Sequence, residues 1–131
     1  MADLSEEAEA EWYPYEGGRT IHQLGGQGGY ILEDEEFGDP SDPEAADARL
    51  TLEQGRAEEP GFFLTAAVYG WMLVTVRRET RGEADAAYRA MRAELTRLAA
   101  LLPYEEDGPR QIDLKARELT EAVAAFEIRF S

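Results

Sequence analysis

The stretch from Phe62 to Arg78 constrains the fold more than any other part of the chain. Its 17 residues are rich in Phe, Val, Trp and Thr, which favour pleated sheet. This is too long for one ordinary strand. We predict two antiparallel strands joined by a tight turn at Tyr69-Gly70; one long bent strand with a bulge at Gly70 is the alternative. Both faces of the stretch are apolar, so we expect it to lie centrally or against a second subunit.

Further strands are predicted from alternating or β-branched residues before and after this stretch. Their ranges are 19–24, 30–33, 49–53 and, at the end of the sequence, 124–130. The run Gly25–Gly29 separates the first two, and because glycine tolerates positive φ, it suits a hairpin loop. Phe126, Ile128 and Phe130 alternate with polar residues, which predicts the final strand.

Residues 82–102 carry the clearest helical pattern. Thr80 and Glu83 form a T-x-x-E capping box at its start, and Pro103 stops it. Side chains at three- and four-residue spacing predict one buried face, made of Ala84, Ala87, Tyr88, Met91, Leu95, Leu98 and Leu102.

The order of these elements predicts an α+β fold. Strands clustered before helices favour a mainly antiparallel sheet of about five to six strands, with the helix over 82–102 on one face. We expect a single domain over residues 1–131, in which residues 1–14 are frayed or form a short helix. Two interpretations are open after Pro103: a short helix over 113–123 with Leu114, Leu119 and Val123 inward, or a strand over 111–116.

Acidic residues are concentrated in the first half of the sequence. The net charge is −15; residues 1–60 hold 17 acidic and three basic residues, and residues 61–131 hold 11 and ten. Such a surface repels nucleic acid and anionic membranes and attracts a basic protein. Residues 33–47 combine acidic residues with two prolines, so we predict a mobile acidic loop there.

Three features predict a soluble, cytoplasmic protein. The sequence has no cysteine, which fits a reducing compartment. Its first residues are acidic, whereas a signal peptide needs a basic start. Its apolar stretches fall short of the roughly 20 residues that a membrane span requires.

The sequence predicts no catalytic residue, metal ligand or cofactor. The glycine-rich run lacks the Gly-Lys-Ser/Thr ending of a phosphate loop. The acidic segment offers no EF-hand frame. His22 is the only histidine, which excludes a multi-histidine zinc site, and we expect it mid-strand at the surface.

We therefore favour a non-enzymatic protein-binding module, such as an immunity-type or chaperone-like inhibitor of a basic partner, over other classes. Self-association as a homodimer is a further expectation. The alternative is a small-molecule- or metal-binding enzyme that uses carboxylates near His22; a nucleic-acid mimic ranks below both. The residues predicted to bind a partner are Glu33, Asp34, Glu35, Glu36, Asp39 and Asp42 as an electrostatic surface, with Tyr69 and Trp71 as aromatic anchors.

Overall fold

Five antiparallel strands followed by two helices make up the fold in a computed structural model, which describes residues 9–104 and 106–131. The strands are β1 (Glu11–Pro14), β2 (Tyr30–Gly38), β3 (Ala48–Gln54), β4 (Phe62–Val68) and β5 (Met72–Arg78). The helices are α1 (Arg81–Ala99) and α2 (Pro109–Phe130). Each strand pairs with the next along the chain, in the order β1-β2-β3-β4-β5. The predicted single α+β domain is confirmed.

The stretch from Phe62 to Arg78 forms a hairpin, as predicted. β4 ends at Val68 and β5 begins at Met72, with Gly70 in the turn at a φ of 83°. The two strands pair without a register shift from Phe62 opposite Arg78 to Val68 opposite Met72. The alternative of one bent strand is wrong.

The hydrophobic core lies between the sheet and α1. The predicted capping box is present: Thr80 Oγ1 accepts a hydrogen bond from the Glu83 N–H (3.1 Å), and Glu83 Oε1 accepts one from the Thr80 N–H (3.2 Å). All seven side chains predicted for the buried face are buried. The helix ends at Ala99, before the proline that was expected to stop it.

The predicted strand over 124–130 is wrong, because these residues belong to α2. The segment from Pro109 onward contains no further Pro or Gly and is rich in Ala, Glu and Leu, so a helix started at Pro109 continues to Phe130. Leu119, Phe126 and Phe130 lie on its buried face. The shorter helix expected over 113–123 is therefore extended at both ends, and Leu114, expected inward, is exposed.

The predicted strand over 19–24 is also wrong. The chain turns here, with positive φ at Glu16 (48°) and His22 (72°), and only Leu24 forms a bridge, to Tyr30. The strand beside β2 comes instead from Glu11–Pro14, in the segment expected to be frayed or helical. The rest of that segment, residues 1–8, lies outside the described residues.

The acidic segment over 33–47 is only partly a loop. β2 continues to Gly38, so the carboxylates from Glu33 to Glu36 lie on a strand, and the loop covers residues 39–47 with a 3-10 turn at Pro43–Ala45. Within residues 9–104 and 106–131, neither helix is long and apolar enough to cross a membrane.

Candidate functional site

One face of the sheet packs on α1, and the opposite face, named here the open face, carries polar side chains. On β3, the alternation of a strand buries Leu50 and Leu52 in the core and places Arg49, Thr51 and Glu53 on the open face. The segment 19–29 folds over this face. Together they enclose a cleft of about 370 Å³, whose lining includes Thr20, Leu24, Arg49, Glu53, Ala67 and Leu73.

Asp34 lies on the open face with its side chain fully buried. Its carboxylate accepts hydrogen bonds from Nε (2.9 Å) and Nη2 (2.8 Å) of Arg49. The hydroxyls of Thr51 (3.1 Å) and Thr20 (2.9 Å) donate to the same carboxylate. The Arg49 guanidinium also stacks on the Tyr15 ring, 3.6 Å from its centroid. These four donors satisfy Asp34 within the chain, so it ties segment 19–29 to the sheet.

The glycine-rich run binds a carboxylate of the chain itself. Glu53 accepts hydrogen bonds from the N–H of Gln27 (3.1 and 3.2 Å to its two oxygens) and of Gly29 (3.0 Å). Gly25 packs directly on this carboxylate, and a Cβ there would collide with it. The Gly25 N–H donates to the Gly29 carbonyl (2.8 Å), which closes a loop; the single bridge Leu24–Tyr30 flanks it in place of the predicted strand pair. The N–H groups of Gln27 and Gly29 thus form an anion-binding concavity, and Glu53 occupies it.

Glu36 joins two strands and a turn on the open face. It is buried and accepts hydrogen bonds from the hydroxyls of Tyr69 (2.6 Å) and Tyr13 (3.3 Å). Burial, with the Glu36 charge, raises the pKa of Tyr13 to about 12. Burial and the hydrogen bond to Glu36 also raise the pKa of Tyr69. Both phenols therefore stay protonated at neutral pH and act as donors.

Glu35 points to the other side of β2, toward α1. Its Oε1 accepts hydrogen bonds from the Tyr88 hydroxyl (2.8 Å) and from Arg92 Nε (3.0 Å). Its Oε2 accepts one from Arg92 Nη2 (3.2 Å). The guanidinium of Arg92 lies 5.3 Å from the Trp12 ring centroid. Glu35 therefore anchors α1 to β2.

Loop 39–47 and the turn between β4 and β5 meet at one end of the sheet. The Tyr69 N–H donates to the Asp47 carbonyl (3.0 Å). The Tyr104 hydroxyl lies 3.5 Å from Asp47 Oδ2. Burial raises the pKa of Asp47. We name this region the acidic end and define it by Asp39, Asp42, Glu44, Asp47, Tyr69, Trp71 and Tyr104.

The acidic end exposes aromatic rings beside carboxylates. Tyr69, Trp71 and Tyr104 are 43%, 38% and 44% exposed. Loop 39–47 contains no basic residue. Hydrogen bonds from the Ser41 hydroxyl and N–H lower the pKa of Asp39. A cationic surface that approaches this end meets both negative charge and aromatic area.

The structure divides the eight residues predicted to bind a partner. Four lie at the acidic end: Asp39, Asp42, Tyr69 and Trp71. Three are held by partners within the chain: Asp34, Glu35 and Glu36. The eighth, Glu33, is exposed at the α1 side of β2. The predicted electrostatic surface is thus spread over three places and is not one patch.

His22 does not lie mid-strand. It occupies a turn, is exposed, and its N–H donates to the Ile31 carbonyl (2.7 Å). It does not line the cleft on the open face. Among the described residues, no group of three or more His, Cys, Asp or Glu side chains is arranged to hold a metal ion.

Sequence reasoning did not identify Arg49 and Glu53, whose hydrogen bonds hold the open face together. At the acidic end it also missed Glu44, Asp47 and Tyr104. Arg49 and Glu53 alternate with Leu50 and Leu52, so their shared face was readable from the sequence. The sequence did not predict that segment 19–29 covers the open face, because this arrangement depends on hydrogen bonds between residues far apart in the chain.

Comparison of this chain with protein-family models, with curated proteins and with solved structures finds no match.

Proposed function

We propose that this protein is a non-enzymatic module that binds a basic protein partner through its acidic end. One observation supports the proposal most strongly. An acidic loop without a basic residue and an exposed aromatic turn lie 22 or more residues apart along the chain, and the hydrogen bond between Tyr69 and Asp47 joins them. An immunity-type or chaperone-like inhibitor, which covers a basic surface of its target, has this physical profile.

Charge and aromatic area play different parts in such binding. The net charge of −15 attracts a basic partner over about 8–10 Å at physiological salt and speeds association. Tyr and Trp are enriched among the residues that dominate binding energy once charge has brought the surfaces together. We expect Trp71→Ala to weaken binding about tenfold or more, mainly through faster dissociation.

The test is a pull-down with tagged protein at low and high salt, followed by affinity measurement on the captured protein. The variant Asp39→Asn/Asp42→Asn/Glu44→Gln removes three charges from the acidic end. The matched control, Asp113→Asn/Glu118→Gln/Glu121→Gln, removes three charges from exposed positions of α2. We expect the first variant to lose capture of a basic protein and the control to retain it. Equal losses in both variants would show that net charge alone, and not the acidic end, attracts the partner.

The cleft on the open face favours a second candidate function, the binding of a small molecule. Its volume of about 370 Å³ falls within the roughly 300–1,000 Å³ of known ligand pockets. Its charged groups are already paired, since Arg49 binds Asp34 and Glu53 binds the glycine-rich run. The ligand would therefore be a neutral molecule with an apolar body. Thermal-shift screening of neutral metabolites tests it, with Ala67→Trp as a variant that fills the cleft.

A further inference from the structure

The two edges of the sheet differ in how they meet solvent. β1 has only four residues, contains Pro14, and begins at the exposed Glu11. Short length, proline and charge are the devices by which sheet edges avoid pairing with other chains. β5 has seven residues, no proline and no register irregularity, and in the described part of the chain nothing pairs with its outer side. β5 therefore presents its outer backbone donors and acceptors without a strand to pair them; the Arg77 carbonyl accepts a hydrogen bond from Arg78 Nη1 (2.9 Å).

The β5 edge also differs from the rest of the surface in charge. The hairpin from Phe62 to Arg78 contains no acidic residue and ends in Arg77-Arg78, in a chain with a net charge of −15. Two copies repel each other over most orientations, and an approach of β5 to β5 brings their least negative surfaces together. A basic partner is disfavoured at this edge, because Arg77 and Arg78 repel positive charge, whereas the carboxylates of the acidic end attract it.

The edge strand itself carries a strongly exposed apolar side chain. Leu73 belongs to β5 and is 74% exposed, and it lies on the open face, where it lines the mouth of the cleft. Burial of such a side chain stabilises association by about 25 cal/mol per Å² of apolar area removed from water.

We propose that two copies of this chain form a homodimer by antiparallel pairing of their β5 strands, which creates one continuous ten-stranded sheet. Thr75 is the central residue of Met72–Arg78. A two-fold axis at Thr75 places Val74 opposite Val76 of the second copy, and Leu73 opposite Arg77. Cross-strand pairs of β-branched residues favour this arrangement, and the aliphatic stem of Arg77 covers Leu73.

Antiparallel pairing also places the basic end of each β5 beside the exposed aromatic turn of the other copy. β5 runs from the β4–β5 turn, at Met72, to Arg78 at the other end of the sheet. In the dimer, Arg77-Arg78 of each copy therefore lies beside the turn that carries Tyr69 and Trp71 of the other. Loop 39–47 joins β2 to β3, away from the β5 edge, so the dimer keeps two copies of the acidic loop accessible.

The first test is sedimentation equilibrium on the wild-type chain and two variants. Leu73→Lys puts a charge at a position that faces Arg77 of the second copy, and Leu114→Lys puts the same charge at another exposed leucine (48%), near the start of α2. We expect a wild-type dimer, a dissociation constant raised at least about tenfold by Leu73→Lys, and no change with Leu114→Lys. A wild-type chain that stays monomeric at the highest attainable concentration overturns the proposal.

The second test uses the absence of cysteine. Directly opposite residues of antiparallel strands have Cα atoms about 4.5–5.5 Å apart, which is within disulfide range. Thr75→Cys should form a covalent dimer under mild oxidation, whereas Thr120→Cys, exposed on α2, should cross-link far more slowly. Circular dichroism of both reduced variants checks that they are folded. Equal rates, or a dimer unaffected by Leu73→Lys, would place any self-association elsewhere.

Discussion

Replacing Arg49 with Met should destabilise the fold more than replacing Asp34 with Asn, although both changes break the same ion pair. The Asp34 side chain is fully buried, whereas that of Arg49 is 30% exposed. When Arg49 is removed, the fully buried Asp34 carboxylate loses its counter-charge and two of its four hydrogen-bond donors. When Asp34 is neutralised, the guanidinium can turn toward solvent and recover part of its hydration.

The magnitudes follow from this asymmetry. Removing one member of a buried ion pair costs about 3–5 kcal/mol. The hydroxyls of Thr20 and Thr51 still donate to Asp34, which places Arg49→Met near the lower limit, at about 3 kcal/mol. The lost stacking on Tyr15 adds about 0.5–1 kcal/mol. Asp34→Asn should cost about 1–2 kcal/mol. Asp34→Leu/Arg49→Met, which leaves no buried charge, should be more stable than Arg49→Met alone.

Urea unfolding, followed by the fluorescence of Trp12 and Trp71, measures the free energy of unfolding of each variant. Arg49→Met should lower the folding equilibrium constant at least a hundredfold, roughly, with an unchanged denaturant dependence. Asp34→Asn should leave capture of the basic partner intact, because Asp34 does not contribute to the acidic end. The reasoning is refuted if Asp34→Asn is the more destabilising change, or if Asp34→Leu/Arg49→Met is no more stable than Arg49→Met alone.

Three further predictions concern other parts of the fold. Gly25→Ala should lower the free energy of unfolding by more than about 1 kcal/mol in the wild type, because the new Cβ collides with Glu53. In a Glu53→Ala background the same substitution should lower it by nearly nothing. Urea unfolding of the wild type, the two single variants and the double variant distinguishes these outcomes. Stability should fall as the pH rises above about 10, since the pKa of Tyr13 is raised to about 12 in the folded chain and its phenol holds a proton that the unfolded chain has lost. Tyr13→Phe should make that decline shallower in thermal melts at pH steps, and an identical slope would contradict it. Thr80→Ala should destabilise by about 1 kcal/mol through loss of the capping box, whereas Thr80→Ser should retain most of the stability.

The hairpin and α1 could be predicted from the sequence because their signals are local. Phe62–Arg78 combines β-branched and aromatic residues with one glycine at the turn, and both strands then pair with their nearest neighbours in the chain. α1 has a start signal at Thr80 and one uninterrupted apolar face. In both elements the short-range pattern and the tertiary packing favour the same structure, so local reasoning is sufficient. At the acidic end, the same local reasoning proposed two of the three exposed aromatics, Tyr69 and Trp71, and part of the acidic loop, and it missed Tyr104.

The choice between helix and strand for 124–130 was made by tertiary structure. Phe126 and Phe130 are four residues apart and satisfy a helical face, and with Ile128 they also satisfy the period of a strand. Packing of Leu119, Phe126 and Phe130 in the core fixes the helix and leaves Ile128 exposed. The sequence pattern was compatible with both structures, and only the available packing surface distinguishes them.

The carboxylates from Glu33 to Glu36 show the same division between sequence and structure. By itself the sequence determined that this segment is strongly acidic, a composition typical of a solvated loop. Burying a carboxylate is unfavourable unless donors satisfy it. Those donors come from Arg49, Tyr69 and Arg92, which lie far along the chain. Only the folded arrangement of β3, the β4–β5 turn and α1 brings them within hydrogen-bonding distance, so only the tertiary structure could place these residues on a strand.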